Sequence, residues 1–310
     1  MKPSASVVIP VYNEEGSLAE LIRRLKAVCS ECFEEWEVII VDDGSTDGSF
    51  PLLKKLKQEY AALSIIRFKR NFGKTSALAA AFSKVRFDLV VTMDGDLQDI
   101  PEEIPHLLQA FIEEEYDMVI GWKYPRKDPL HKVIPSRVFN LFLRIMTGRH
   151  FHDVNCGFKI FKKEVIGEFP LYGDLHRFIP YLIQTKGFVV GEKKVAHQER
   201  RWGRSKYTYR RFWGGFLDSL TVLFLLKFQE KPLHFFGSLG IITAFTGFLV
   251  NMYLTVLWLQ GHPIGHRPLL ILGVLLFVIG VQFLGIGLIA EMIRFEKKKY
   301  ANYVIEEVIE

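Results

Sequence analysis

The chain has 310 residues, 40 Lys plus Arg against 35 Asp plus Glu, and 49% hydrophobic residues. That length and apolar content bury a full core and exclude disorder, a collagen-like chain and a small disulfide scaffold. The net charge of +5 is modest and no zinc-finger or RRM signature occurs, so nucleic acid is not an expected partner.

The first residues, Met1-Lys-Pro-Ser-Ala-Ser, lead into a short apolar run broken by Pro10 and Glu14, which does not read as a secretory signal. From Ala5 onward strand and helix patterns alternate. Strands are predicted at Ala5–Val11, Trp36–Val41, Leu63–Phe68, Leu89–Met93 and Met118–Gly121, with helices at Ser17–Val28, Phe50–Tyr60, Thr75–Lys84 and Pro101–Glu114. Nearly all-apolar strands such as Val38-Ile-Ile-Val41 suit a parallel sheet covered on both faces. The expected class is α/β, doubly wound, with ligands bound beyond the carboxyl ends of the strands. Cys29 and Cys32 form a C-x-x-C pair at the end of the first helical pattern. A redox pair would open a helix instead, so they are read as reduced thiols of a cytosolic domain.

Four consecutive strand ends carry polar clusters: Pro10-Val-Tyr-Asn-Glu14, Asp42-Asp-Gly-Ser-Thr-Asp47, Arg70-Asn-Phe-Gly-Lys74 and Asp94-Gly-Asp-Leu-Gln-Asp99. Acidic residues at such positions are often turn formers or caps, and Asp47, Ser45 and Asp99 are read that way. Asp94 and Asp96 leave a buried strand together, with Gly95 between them. Two carboxylates so spaced suit Mg2+ or Mn2+, hard cations that take oxygen ligands and complete their shell with substrate phosphates; Gln98 is a third oxygen donor. Neither a G-x-G-x-x-G nor a Walker-type phosphate loop is present, which disfavours a dehydrogenase or P-loop NTPase.

Beyond Lys231 the character changes. From Pro232 to Ala290 the only Asp, Glu, Lys or Arg is Arg267. Phe235 to Leu259 and Pro268 to Ala290 are each long enough to cross a bilayer as a helix, joined by the turn Gln260 to Arg267. Asn251 and Gln282, polar residues within these spans, are expected to face a neighbouring helix. Lys206, Arg210, Arg211, Lys227 and Lys231 precede the first span and Arg294, Lys297, Lys298 and Lys299 follow the second, which predicts cytoplasmic termini and a cytoplasmic catalytic domain. Between Tyr209 and Phe228 the spacing of Phe212, Trp213, Phe216, Leu217, Leu220, Leu223 and Phe224 suits an amphipathic helix at the interface or against the catalytic core.

Taken together, the four strand-end clusters resemble those of family 2 glycosyltransferases with the GT-A fold. Asp153-Val-Asn-Cys-Gly-Phe158, His176-Arg-Phe178 and Arg200-Arg-Trp-Gly-Arg-Ser-Lys206 narrow the resemblance to polyprenyl-phosphate sugar transferases, of the dolichyl-phosphate mannose synthase and bacterial undecaprenyl-phosphate glucosyltransferase kind. The resemblance implies that Pro10, Tyr12, Asn13, Glu14, Val41 and Asp43 hold the nucleoside of a UDP- or GDP-sugar. Arg70 and Lys74 would lie near the same pocket, and Asp94, Asp96 and Gln98 would hold the metal. It implies domains at 1–206 (GT-A), 207–230 (juxtamembrane), 231–294 (transmembrane hairpin) and 295–310 (tail).

An acceptor lipid phosphate needs a cationic cradle, for which Lys123, Arg137, Arg200, Arg201, Arg204 and Lys206 are the candidates. Lys123, Arg137 and Arg200 or Arg201 are favoured by family position. Lys193, Lys194, Arg210 and Arg211 read as contacts to anionic membrane lipids. Catalysis is expected from the metal held by Asp94 and Asp96, with Arg200 and Arg201, neutralising the departing diphosphate. Asp153 and Asp174 are read as structural or sugar-binding. The expected partners are the nucleotide sugar, with UDP-glucose ahead of GDP-mannose, undecaprenyl or dolichyl phosphate, membrane lipids, and a second copy through the transmembrane region. Gln198-Glu-Arg-Arg201-Trp202 also matches the Q-x-x-R-W motif of processive polysaccharide synthases. That leaves a polymerising enzyme as one alternative, and a non-catalytic membrane-anchored sugar-nucleotide binder as another.

Overall fold

The computed structural model describes residues 2–124, 151–168, 171, 175–198, 224, 228, 231–265 and 268–297. The chain divides into two compact units, Met1–Leu223 and Phe224–Glu310.

The first unit is built on a seven-stranded sheet. Its strands are β1 (Ala5–Val11), β2 (Trp36–Asp42), β3 (Leu63–Arg67), β4 (Leu89–Thr92), β5 (Met118–Lys123), β6 (Lys159–Lys162) and β7 (Val190–Val195), in the order β3-β2-β1-β4-β6-β5-β7. β1, β2 and β4 are buried almost throughout, as strands covered on both faces must be. Between them run α1 (Glu15–Cys32), α2 (Ser49–Glu59), α3 (Lys74–Phe82) and α4 (Ile104–Glu113). α1 shows why these segments fold as helices: Leu18, Leu21, Ile22, Leu25 and Val28 recur at one-turn spacing and are all buried. A short helix α5 (Ile179–Gln184) precedes β7.

β1 pairs in parallel with β2 on one side and β4 on the other, so the connections leave it in opposite directions. This reversal opens a crevice at the carboxyl ends of β1 and β4, where open α/β sheets bind ligands. The sheet is not wholly parallel: β6 runs antiparallel between β4 and β5. Four residues, Lys159-Ile-Phe-Lys162, carry too short an apolar pattern to announce a strand, and their place is set by the two strand edges they pair with. The far end of the sheet is fastened by buried Glu37, which accepts from Ser6 Oγ (2.6 Å), Arg86 N (2.9 Å) and Arg86 Nε (2.8 Å).

The second unit is a helical hairpin, α6 (Pro232–Leu259) and α7 (Pro268–Lys297). Both helices are long and apolar enough to cross a membrane, and only 17% and 11% of their most apolar windows are buried, which sets them apart from the core helices of a soluble domain. Gly240 and Gly247 on α6 lie against Gly280 and Gly273 on α7, each pair at seven-residue spacing, and Gly287, seven residues further on, lies against Leu233 and Phe236. A Cβ on Gly280 would fall on the Ala244 backbone and one on Gly247 on the Phe277 amide, so backbone lies against backbone. Asn251 faces α7 as expected, its Oδ1 2.6 Å from where a Cβ on Gly273 would stand. Gln282 does not face α6; it is exposed on the hairpin surface. Leu233 N, in the first turn of α6, donates to Glu291 Oε2 at 3.4 Å, putting an anion at the positive end of that helix. The expected amphipathic helix lies outside the described residues except for Phe224 and Phe228, whose rings pack with Phe235.

Candidate active site

The loops after β1, β2, β3 and β4 surround a cleft of about 460 Å3. β1 contributes Pro10, Val11, Tyr12 and Glu14; β2 contributes Asp43; the β3 loop contributes Asn71, Gly73 and Lys74; β4 contributes Asp94, Gly95 and Asp96. All four clusters read from the sequence therefore converge.

The loops brace one another. Asp43 Oδ1 accepts from Phe72 N at 2.7 Å and its Oδ2 from Gly73 N at 2.9 Å, tying the β2 loop to the β3 loop. Gly44 (φ 70°) passes so close to Arg70 that any Cβ would strike that backbone, so glycine is required there on two counts. Asn13 (φ 56°) accepts from Thr46 N at 2.8 Å and donates its own N–H to Ser45 Oγ at 2.9 Å, tying the β1 loop to the β2 loop. Ser45 is thus a loop brace rather than a helix cap. Asp47 serves two helix starts, accepting from Ser49 N at 3.0 Å and Glu15 N at 3.3 Å.

On the cleft floor Lys74 Nζ pairs with Asp94 Oδ1. Burial would raise the Asp94 pKa, but the ammonium groups of Lys74, Lys123 and Lys159 outweigh it and hold the carboxyl well below the usual carboxylate range. Asp96 Oδ1 accepts from Gln98 N at 3.1 Å, and the chain turns at Leu97 through φ 60°, uncommon outside glycine. Leu97 is buried, which anchors the turn.

Not every residue named from the sequence reaches the cleft. Val41 is buried in β2, Gln98 does not line the cavity, and exposed Arg70 stacks its guanidinium over Phe72 at 4.6 Å. Lys123 is no free cation. Its Nζ lies 2.9 Å from Asp99 Oδ1, in an off-axis ion pair almost out of solvent. Burial would lower the Lys123 pKa, but Asp99 and further neighbours raise it well above its ordinary value, so it stays charged. Asp99 is not a helix cap: the residue before the turn Pro101–Glu103 is Ile100, and Asp99 Oδ2 accepts from Asp94 N at 3.0 Å. Lys193 pairs with Glu114 at 3.5 Å and Lys194 lies over the rings of Trp122 and Tyr124. Arg137, Asp174, Arg200, Arg201, Arg204, Lys206, Arg210 and Arg211 lie outside the described residues.

Two residues behind the cleft were not singled out as site residues from the sequence. Lys159 enters on β6, buried, with Nζ donating to Cys156 O; burial lowers its pKa to about 8. His176 Nδ1 lies 2.7 Å from Thr75 Oγ1, and burial, aided by Lys74, holds the ring well below its usual pKa. With Asn155, they line a pocket of about 10 Å3 that shares Pro10 and Lys74 with the cleft.

Residues 6–169, which carry every loop of this cleft, match the model of Glycosyl transferase family 2. The chain belongs to the family 2 glycosyltransferases. Dodecaprenyl-phosphate galacturonate synthase of Rhizobium johnstonii is 37% identical over 313 residues, covering 98% of this chain and 93% of the relative. The undecaprenyl-phosphate 4-deoxy-4-formamido-L-arabinose transferase of Salmonella paratyphi A is 37% identical over 310 residues, with the same shares covered. Likeness along the whole chain, hairpin included, makes this family 2 member an enzyme of the polyprenyl-phosphate sugar transferase type and a membrane protein. In fold it resembles glucosyl-3-phosphoglycerate synthase of Mycobacterium tuberculosis, solved with Mn2+, UDP-glucose and phosphoglyceric acid (TM-score 0.55, 19% identity, 72% of this chain and 79% of that one). Mannosyl-3-phosphoglycerate synthase from Rubrobacter xylanophilus is equally similar (TM-score 0.56, 17% identity, 72% and 74%). The GT-A-type fold expected from the motifs is thereby found.

Proposed function

We propose that this family 2 transferase moves a sugar from a UDP-sugar to a polyprenyl phosphate at the cytoplasmic membrane face, inverting C1. The observation that carries the reading is the meeting of Asp94, Asp96 and Lys74 on the floor of one cleft at the sheet's reversal point. For the donor we favour a modified sugar, a uronic acid or an amino-pentose, over the glucose or mannose expected from the family resemblance. The full-length relatives named for galacturonate and formamido-arabinose support this choice.

A divalent ion fits the residues present. Among the described residues no group of three His, Cys, Asp or Glu could hold a metal unaided. Two cleft-lining carboxylates, Asp94 and Asp96, would bind Mg2+ or Mn2+ together with diphosphate oxygens. Such an ion, when bound, neutralises the charge that develops on the leaving diphosphate. Lys74 adds a cation to the same oxygens, while Tyr12 and Glu14 frame the nucleoside end and Asp43 braces it. On the acceptor side this proposal places Arg137, Arg200, Arg201, Arg204 and Lys206, with Lys123 adding its charge from its buried pair with Asp99.

The chemistry needs no general base. A phosphate monoester has a second pKa near ~6 and is already anionic at neutral pH. One of its oxygens forms the new bond to C1 as the C1–oxygen bond to the diphosphate breaks, and the electron pair departs with the nucleotide. The chain contributes alignment and charge neutralisation. The membrane hairpin keeps the enzyme at the surface that carries its lipid substrate. The positive flanks Lys227, Lys231, Arg294 and Lys297 support cytoplasmic termini.

The test is a transfer assay with purified protein, polyprenyl phosphate, Mg2+ or Mn2+ and a panel of nucleotide sugars. We expect one sugar per lipid phosphate, in the β configuration from an α-linked donor. A polymer as the product, or retained configuration, overturns the reading.

A further inference from the structure

Asp99 joins three parts of the site that the sequence keeps far apart. Its carboxylate is buried to 1% exposure and has two unlike partners: Asp94 N–H on Oδ2 at 3.0 Å and the Lys123 ammonium at Oδ1 at 2.9 Å. Its backbone forms an antiparallel bridge with His197, and the preceding carbonyl, Gln98 O, accepts from Gln198 N at 3.2 Å. On its other side the same segment is held by β5, where Lys123 pairs with Val195 and Tyr124 N donates to Val195 O at 3.1 Å. The stretch 195–198 is thus clamped between the Asp94–Asp99 loop and the strand end that carries Lys123.

We propose that Asp99 is a positioning residue of the transfer reaction, which sets the acceptor cation Lys123 at a fixed distance from the donor loop that begins at Asp94. The inference rests on the reading of Lys123 as part of the acceptor-phosphate cradle. In-line displacement demands that nucleophile and leaving group be aligned to a fraction of an ångström, and the two halves of this site lie on different strands. A single buried carboxylate, hydrogen-bonded to the first residue of one half and ion-paired with the last strand residue of the other, fixes that alignment. A carboxylate does this better than an amide. An asparagine side chain in its place would still accept from Asp94 N–H through its oxygen, but its NH2 would oppose the ammonium of Lys123, donor against donor.

The test compares wild type, Asp99→Asn, Lys123→Met and the double variant in three measurements: affinity for UDP with Mn2+, kcat and KM toward a short-chain polyprenyl phosphate at saturating donor, and thermal midpoint. For D99N we expect UDP affinity within about threefold of wild type and kcat/KM for the acceptor lowered roughly ten- to hundredfold. The double variant should be no worse than K123M alone, because Asp99 acts through Lys123. Should D99N fold poorly by leaving a buried cation unpaired, the double variant, which removes both charges, restores the midpoint and keeps the comparison with K123M. Equal losses of UDP affinity and acceptor kcat/KM in D99N overturn the proposal, as do effects of the two substitutions that multiply, or unchanged kinetics. If wild type makes no lipid-linked sugar with any donor, the functional reading itself falls and takes this proposal with it. If wild type transfers and K123M leaves acceptor kinetics unchanged, the transfer function stands, Lys123 is no acceptor cation, and the role proposed for Asp99 is refuted with it.

Discussion

Lys74 and Asp94 form an ion pair across the cleft floor, so the strand-end carboxylate proposed to receive a metal already has a cationic partner from the neighbouring loop. Both side chains are about one-third exposed, which makes the pair exchangeable rather than a buried fixture. Lys74→Met therefore has opposite effects on the two ligands. Without nucleotide, Mn2+ should bind more tightly, by up to about 1 kcal/mol or roughly fivefold, because the competing ammonium is gone. UDP in the presence of Mn2+ should bind more weakly, because the cation proposed to face its diphosphate is lost. Mn2+ titration by electron paramagnetic resonance, with and without UDP, checks both signs.

Asp43 offers a second separation of roles. Both its oxygens are occupied by the amides of Phe72 and Gly73, so the part it would play in the proposed nucleotide site is to hold the β3 loop in place. Asp43→Ala removes two hydrogen bonds to a charged acceptor and should cost about 2 kcal/mol of stability along with at least tenfold in UDP affinity. Asp43→Asn, with one acceptor oxygen left, should lose part of each. A D43N protein with wild-type melting and abolished UDP binding would instead show that this carboxylate meets the nucleotide directly.

How much of this was legible in the sequence follows from the range of each interaction. β1, β2 and β4 are continuous apolar runs whose period needs no partner, and the loops that follow them converge because parallel strands end on one edge. The membrane hairpin was equally plain, since two long uncharged runs have few alternatives. What escaped depends on distant partners. Lys159 lies on a four-residue strand defined by the edges of β4 and β5. Thr75 and His176 are 101 residues apart. The local signal at Asp99, an acidic residue before a Pro-initiated turn, favours a cap. Lys123, 24 positions away, draws the side chain inward instead, so the cap is not made. Gln282 was misplaced because polarity alone cannot say which side of a helix meets its partner, whereas the glycine seam can.

That seam carries a prediction with an internal control. Gly280 has no room for a side chain, because a Cβ there falls on the Ala244 backbone. Gly285, five residues along the same helix and so on a different face, has nothing within 4 Å. Gly280→Leu should push the helices apart and cost about 1–3 kcal/mol or more, while Gly285→Leu should be close to neutral. Apparent thermal midpoints of the two variants in detergent, beside wild type, decide it. Equal destabilisation would mean that the hairpin does not pack through this face.

The last prediction concerns pH. His176 is buried beside Thr75, and its pKa is lowered first by burial and then by Lys74, Arg177 and Lys159. A histidine in the unfolded chain titrates near ~6.5. Above that pH both states are neutral at this site and it contributes no pH dependence. Below it the unfolded chain binds a proton that the native ring refuses, so the unfolded state is favoured as the solution is acidified. Stability is therefore lost on going from pH 7.5 to pH 5.5, and the loss continues until the lowered native pKa is reached. His176→Gln, which cannot take up the proton in either state, should flatten that slope while keeping a side chain able to bond Thr75. The quantity to compare is the difference in thermal midpoint between the two pH values. We expect it to be smaller in H176Q than in wild type, and an unchanged difference would show that the ring is not held neutral in the folded protein.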